Sequence, residues 1–392
     1  MNFRFYKTGL LCATTVLLPF SVQASYFATS SEKGLIYQSP EGNFKLKAGG
    51  RLHLDGAVFN EDKTLLENDW IVRRARLSLR ADFYEDWRIS TQYDFTDTEE
   101  RILSLTARYG GFKNTYITAG QFQEPFSLEQ ATSSNNFAFM ERSLANALIP
   151  GINVGFAMQR WGKNWGVTAG TFWETYIEDS DLFAKEEDRG FSGRFTFAPI
   201  KDKDMVLHLG TSLAYRLPSE NQKIRLRTQP ESEVTEETFI STGRMRNVDS
   251  RSIHGVEAIF AKGPVTLQGE YITTRVSRFE DKQDETFEGG YLAASWLLNG
   301  RQRSYSSRSG AFGSVKIGKQ AIWELAVRRS FLDLNSTTGT ITGGQQTNTS
   351  FAVNWYPDQN VRMMFNYIDV DTDAEAGDED PSIMQLRLQW VI

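Results

Sequence analysis

The chain has one cysteine, Cys12, among 392 residues, and it lies inside an apolar N-terminal run. With that run removed as a leader, disulfide and thiolate chemistry are excluded. Long hydrophobic runs are missing as well. Only Gly9–Phe20 is largely apolar, short for a helical span of ~20 residues. The mean hydropathy is -0.41, too polar for a bundle of membrane helices. There is no basic surplus either. Lys and Arg number 43 against 49 Asp and Glu, a net charge of -6, which argues against a general affinity for nucleic acid. A local basic lining remains open. No convincing amphipathic helix can be found.

The N-terminus has the order of a secretory signal peptide. Arg4 and Lys7 precede the apolar stretch, and "SVQAS" follows it. Cleavage is expected after Ala24, so that residues 1–24 are a leader and residues 25–392 one unit. Leu11 is too large for a lipoprotein site at Cys12. The leader carries two basic residues and no acidic one, so its loss makes the chain more acidic.

Strict alternation fills the remainder. In "RRARLSLRADF", Ala75, Leu77, Leu79, Ala81 and Phe83 share one parity, and Arg74, Arg76, Ser78, Arg80 and Asp82 the other. Successive side chains of a strand point to opposite faces. The same pattern runs through "FKLKAGGRLHLDGAVF", where Arg51, His53 and Asp55 oppose Leu52, Leu54 and Val58. It returns in "WRISTQYDF" and "NWGVTAGTFW", and in seven further segments down to Met384–Ile392. About sixteen segments of roughly ten residues result, the length of a tilted membrane strand.

Connections alternate too. "YEDW", "GGFKN", "RWGKN", "PIKDKD", "AKGP" and "YPDQN" are short. Between them come Asn60–Asp69, Gln123–Pro150, Thr175–Asp188, Leu217–Ser250, Asp333–Gln346 and Asp371–Pro381. Short turns on one side and longer loops on the other are the habit of an outer-membrane barrel. Asn299–Gln320 breaks the rhythm, being long on the short-turn side. A β-sandwich also alternates, but it explains neither this rhythm nor aromatics near strand ends such as Trp87, Trp173, Trp296, Trp355 and Trp390. The expected fold is all-β: a transmembrane antiparallel barrel of about sixteen strands, apolar toward lipid and polar within.

Several ordered pieces resemble the phosphate-selective porins O and P. They are "RRARLSLRADF" with "WRISTQYDF", "AGQFQEPFSLEQATSSNNFAFMERSLANAL", "GVEAIFAKGPVTLQGEYITT", "GGYLAASWLLNGRQRSYSSRSGAFG" and "VNWYPDQNVRMMFNYIDVD". The resemblance implies a 16-stranded barrel of the bacterial outer membrane, usually a homotrimer, with loops 123–150, 217–250 and 299–320 folding inward. It also implies an arginine ladder and a lysine-bearing constriction. The ladder carries over to Arg73 and Arg74, with Arg76 and Arg80 below them and Arg51 on the preceding strand. The constriction does not. Loop 123–150 has no lysine; it offers Glu124, Glu129, Glu141 and Arg142. Basic groups there would come from Lys223, Arg225 and Arg227, or from Arg301, Arg303 and Arg308.

Arginine suits an oxyanion because its planar fork donates two parallel hydrogen bonds and keeps its charge. A row of such groups gives several weak sites that an ion can pass along. The same arginines could instead pair with inward carboxylates such as Asp55, Asp82, Asp94, Glu257, Glu270 and Glu324. "GSVKIGKQ" falls short of a phosphate loop, since Gln320 stands where Ser or Thr is needed and no helix follows. His53 beside Asp55 leaves a barrel hydrolase conceivable, without a nucleophile elbow or metal spacing. The reading is a passive outer-membrane porin for small anions, phosphate-like oxyanions first, with no cofactor. The alternatives are a general or differently selective pore, a barrel enzyme and a structural barrel.

Overall fold

The computed structural model describes residues 27–30, 34–96, 101–173, 189–218, 223–280, 282–300, 302–374 and 377–392. The leader expected at 1–24, the connection at 175–188 and Arg301 lie outside the described residues. The fold is a closed barrel of 16 antiparallel strands. Closure is made by Ser382–Val391, which runs against Phe44–Asn60 from Ser382 opposite Asn60 to Val391 opposite Arg51. A closed sheet leaves no unpaired edge, so every strand can sit in a medium that offers no hydrogen bonds. Below the end of the last strand, the hairpin Phe27–Ser30 and Gly34–Gln38 takes over as neighbour of the first barrel strand, with Leu35 opposite Ala48. No helix among the described residues is long and apolar enough to cross a membrane; the strands do the crossing.

Alternation in sequence becomes inside and outside. On Ser382–Val391, Gln385, Arg387 and Gln389 are buried in the lumen while Met384, Leu386, Leu388 and Trp390 stand outward. On Ile322–Asn335, Glu324, Arg328 and Ser330 point in and Trp323, Leu325 and Val327 point out. The outward side chains form a continuous apolar belt, with Trp87, Trp173, Trp296 and Trp390 near its rims. Such a belt is stable against hydrocarbon, not water.

The lumen is not empty. Residues 124–151 leave the outer end and fold back into it, carrying a short helix, Leu128–Ala131, and a 3-10 turn, Leu144–Leu148. Phe126, Leu144 and Leu148 pack on Ile253, Ile272, Val276, Phe287 and Leu332 of the wall. Phe139 packs on Tyr291, Ala293, Ala326 and Ala352. The long connection from the opposite end also turns inward. Its small hairpin, Tyr305–Ser306 with Ala311–Phe312, meets Leu128, Val206 and Ile259. The two inserted segments therefore touch each other inside the barrel.

The two faces make opposite demands, which gives a direct test. Leu79→Arg places a charge in the belt and costs ~2–4 kcal/mol near mid-membrane. Ser78→Arg, one residue away, points into the lumen and should leave folding intact. Heat-resistant migration of folded barrel on gels should fall for the first variant and hold for the second.

Candidate functional site

The inserted loop is acidic, yet its carboxylates do not face open space. Glu141 accepts from Arg73 Nε at 2.9 Å, Arg74 at 3.3 Å and Arg387 at 2.6 Å. Glu129 accepts from Ser143 Oγ at 2.7 Å and its amide at 3.0 Å, and meets Arg328 at 3.4 Å. Glu124 is held by Arg216, Ser192 and Asn153. Burial pushes the Glu141 carboxyl up, but the guanidiniums of Arg73, Arg74 and Arg387 outweigh it and hold the group well below the usual range. At Glu129 burial prevails over Arg328 and Ser143, and its carboxyl sits above that range.

Arginines of the wall, and Arg303 of the inward connection, also hold the loop by its backbone. Arg251 donates to Leu148 O at 2.7 Å, Arg303 to Asn136 O at 2.6 Å, Arg387 to Met140 O at 2.5 Å and Arg362 to Phe137 O. The polar residues on the loop's less buried side are Gln130, Thr132, Ser133, Asn135, Asn136, Asn146 and the half-buried Arg142. None of these is acidic.

The ladder residues divide between two roles. Parity alone would put Arg73 and Arg74 on opposite faces. A bulge resolves this: His53 pairs with Arg74 and Leu54 with Val72, so Arg73 is the extra residue. Val72 and Leu77 stay outward, and both arginines turn in. Arg74 is then sealed under the loop against Glu141 and His53, and Arg73 spans Glu141 and Glu233. Arg76 and Arg80 stay half-exposed. Arg76 lies 2.6 Å from Asp94 and Arg80 2.8 Å from Asp82. Arg51, opposite Arg76, donates to Ser134 on the loop at 2.9 Å.

The other expected cations lie elsewhere. Arg142 stacks on Phe137 at 5.0 Å and donates to Glu129 O. Arg225 donates to Ser241, and Arg227 sits in the small sheet with that same residue, both within the loop at 223–247. Arg303 is buried against Glu324 at 2.6 Å and serves the loop seat. His53 is fully buried, between Arg74 and Asn135 of the loop, where a substrate has no access.

Burial shows where the lumen stays open. Inward residues of the strands from 189 to 391 are sealed: Ser192, His208, Ser330, Asn348 and Asn354 have no exposure. On Asp69–Phe83, Trp87–Asp94 and Arg101–Tyr109 many inward residues are half-exposed, as at Ser78, Ser90, Gln92 and Ser104, although Arg74, Asp94 and Thr106 are buried. The open wall carries Lys47, Arg51, Arg76, Arg80, Arg88 and Arg108, and Arg308 joins it from the inward connection. On these three strands only Asp82 and Asp94 answer them among the described inward residues, and Asp82 is shared by Arg80 and Arg88. Positive charge therefore exceeds negative along the open side. Arg108 carries inward parity in "RILSLTARY", two residues after Thr106, and the same alternation that marked Arg76 was the signal for it.

Comparison with known proteins agrees with this architecture. The model of the family "phosphate-selective porin O and P" matches residues 46–392. Porin O of Pseudomonas aeruginosa is 27% identical, over 91% of this chain and 91% of its own. Among solved structures, the anion-selective porin from Comamonas acidovorans superposes with a TM-score of 0.55 at 10% identity, over 89% of this chain and 100% of that one. The trimer form of in-vitro folded OmpT from Vibrio cholerae gives 0.57 at 8%, over 89% and 99%. These two likenesses show the fold. With the family match across nearly the whole barrel, the chain belongs to the phosphate-selective porin O and P family, whose place is the bacterial outer membrane.

Proposed function

We propose that the protein is a passive channel for small anions, with phosphate-like oxyanions as its leading substrates, and that it works as a homotrimer embedded in outer-membrane lipid without catalysis or a cofactor. One observation carries the reading. The inserted loop turns its carboxylates away from the open side and onto wall arginines, so the path is bounded by a loop face without exposed carboxylates and by a cationic wall. The ladder of this path is Arg51, Arg76, Arg80, Arg88, Arg108 and Arg308. Arg76 and Arg80 are four residues apart on one strand, about 13 Å along it. An ion can be handed between neighbouring guanidiniums without entering a deep well. The name of Porin O's family and the selectivity stated for the Comamonas acidovorans porin support the anion class. The trimer form of the Vibrio cholerae protein supports the assembly.

A weakly selective pore is the second reading, and Asp82 and Asp94 on the same wall favour it. Reversal potentials in planar bilayers under a potassium chloride gradient separate the two. A guanidinium about 8 Å from the path contributes ~0.5 kcal/mol at a water-like dielectric, about twofold in ion partition. The combined Arg76→Gln/Arg80→Gln/Arg88→Gln variant should lower chloride preference about tenfold. A cation-preferring wild type, or a triple variant with an unchanged potential, would remove these groups from the path.

A second variant tests the loop. Glu141 sits, with its carboxylate, between Arg73, Arg74 and Arg387. Glu141→Gln removes the charge that these buried guanidiniums share, which costs ~3–5 kcal/mol where a buried pair is broken. Heat-resistant migration of the folded barrel should be lost at lower temperature, and the less firmly seated loop should change single-channel conductance in planar bilayers. Unchanged migration and conductance would show that Glu141 does not seat the loop.

A further inference from the structure

Beside the ladder lies a chamber of about 250 Å³. It is bounded by the start of the inserted loop, by wall strands between Arg101 and Lys201, and by Arg308 and Ser309 of the inward connection. A water molecule's share of liquid is about 30 Å³, so the chamber exceeds what one small oxyanion fills. Gly166 shapes its floor. A Cβ there would collide with Ser307 O, and the missing side chain lets the connection approach the wall.

The charged groups of the chamber fall into two classes. Arg194 is spent on Glu257, and Glu124 on Arg216. Arg108 and Arg308 have no carboxylate partner among the described residues. Arg108 gives its Nε to Thr118 at 3.2 Å and lies 5.0 Å over the Tyr116 ring. Arg308 lies 5.8 Å from the same ring and 5.9 Å from that of Trp161. Two guanidiniums thus flank one aromatic side chain at the chamber's edge, fixed by stacking and not by neutralisation.

Between these charged groups and a few apolar side chains, the lining offers hydroxyl and amide groups: Thr106, Thr118, Thr168, Thr196, Gln130 and Gln159. Several keep capacity to spare. Thr118 accepts from Arg108 and retains its proton; Thr168 accepts from Gln159 at 3.3 Å and retains its own. A bare oxyanion uses the arginines alone. A ligand with one oxyanion and a body of hydroxyl groups uses the arginines and these walls together.

We propose that this chamber is a subsite for a sugar phosphate, the phosphate held by Arg108 and Arg308 and the polyol read by the threonine and glutamine walls. The proposal rests on the anion reading above and adds a substrate class to it. Such a ligand lingers in the chamber and interrupts the flow of smaller ions past it.

Chloride current through the full-length protein in planar bilayers tests this, with glucose 6-phosphate, inorganic phosphate and glucose as probes. Glucose 6-phosphate should half-block at a concentration at least about tenfold below that of phosphate, and glucose should not block. Thr168→Val should raise the half-blocking concentration of glucose 6-phosphate toward that of phosphate and leave the phosphate value unmoved; Gln159 is kept because its Nε2 also donates to Arg308 O at 3.0 Å. Arg108→Gln/Arg308→Gln should weaken both. Equal blocking by the two phosphates in the wild type, or a glucose 6-phosphate block that persists in both variants, overturns the subsite. The reversal potential recorded in the same bilayers keeps the readings apart. A cation sign ends the anion reading itself, whereas an anion sign without a glucose 6-phosphate advantage ends only the chamber.

Discussion

The interior of this barrel depends on the contact between wall arginines and the loop they hold. A guanidinium taken out of water costs several kcal/mol unless its donors are met. Arg387, with no exposure, meets that demand with Asp55, Glu141 and Met140 O. Arg328, nearly as buried, uses Glu231, Glu129 and Glu141 O. The loop has the same problem in reverse, because a backbone folded into a lumen has carbonyls to satisfy. Each side supplies what the other lacks. Without the loop those arginines would face water and the lumen would be wide. Without the arginines the loop would have no seat. The width of the path and the place of its charges both follow from that exchange.

Much of this was legible as alternation. The parity of "LSLRADF" placed Ser78 and Arg80 inward and Leu77 and Leu79 outward, as found. The short-long rhythm marked Asn299–Gln320 as the exception, and the structure turns that connection into the lumen. Two things were hidden. Parity cannot see a bulge, and the inward turn of both Arg73 and Arg74 needs one at Arg73. Nor can parity distinguish an inward residue in water from one under a loop. Arg74 and Arg80 read alike in the sequence, yet one is sealed against Glu141 and the other is half-exposed. That difference is made by a segment more than fifty residues away. Inward apolar residues were the available clue. Ile253, Ile272, Phe287 and Leu332 interrupt a polar lumenal face where the loop docks.

Anchoring by carbonyls bears on how such a loop can vary. Arg251, Arg303, Arg362 and Arg387 grip Leu148, Asn136, Phe137 and Met140 through main-chain oxygens. That grip does not read side-chain identity. Side chains on the pore side are therefore free to change without unseating the loop, and selectivity can be tuned apart from the fold. The carboxylate contacts differ. Glu141 and Glu129 are specified by charge, since removing either leaves a buried guanidinium with fewer partners.

Net charge misleads for this class of protein, and the reason is local. The chain is acidic overall, and its inserted loop brings Glu124, Glu129 and Glu141 into the lumen. Counted as composition, that loop argues for cations. Counted by exposure, it does not, because each carboxylate is spent on an arginine and the pair is nearly neutral beyond its own contact. Among the described residues, the cations of the open wall that keep contact with water are Lys47, Arg51, Arg76, Arg80, Arg88, Arg108 and Arg308, set against Asp82 and Asp94. An acidic chain can present a positive bore because neutralisation is decided pair by pair at the wall, and the unpaired remainder is what a passing ion meets.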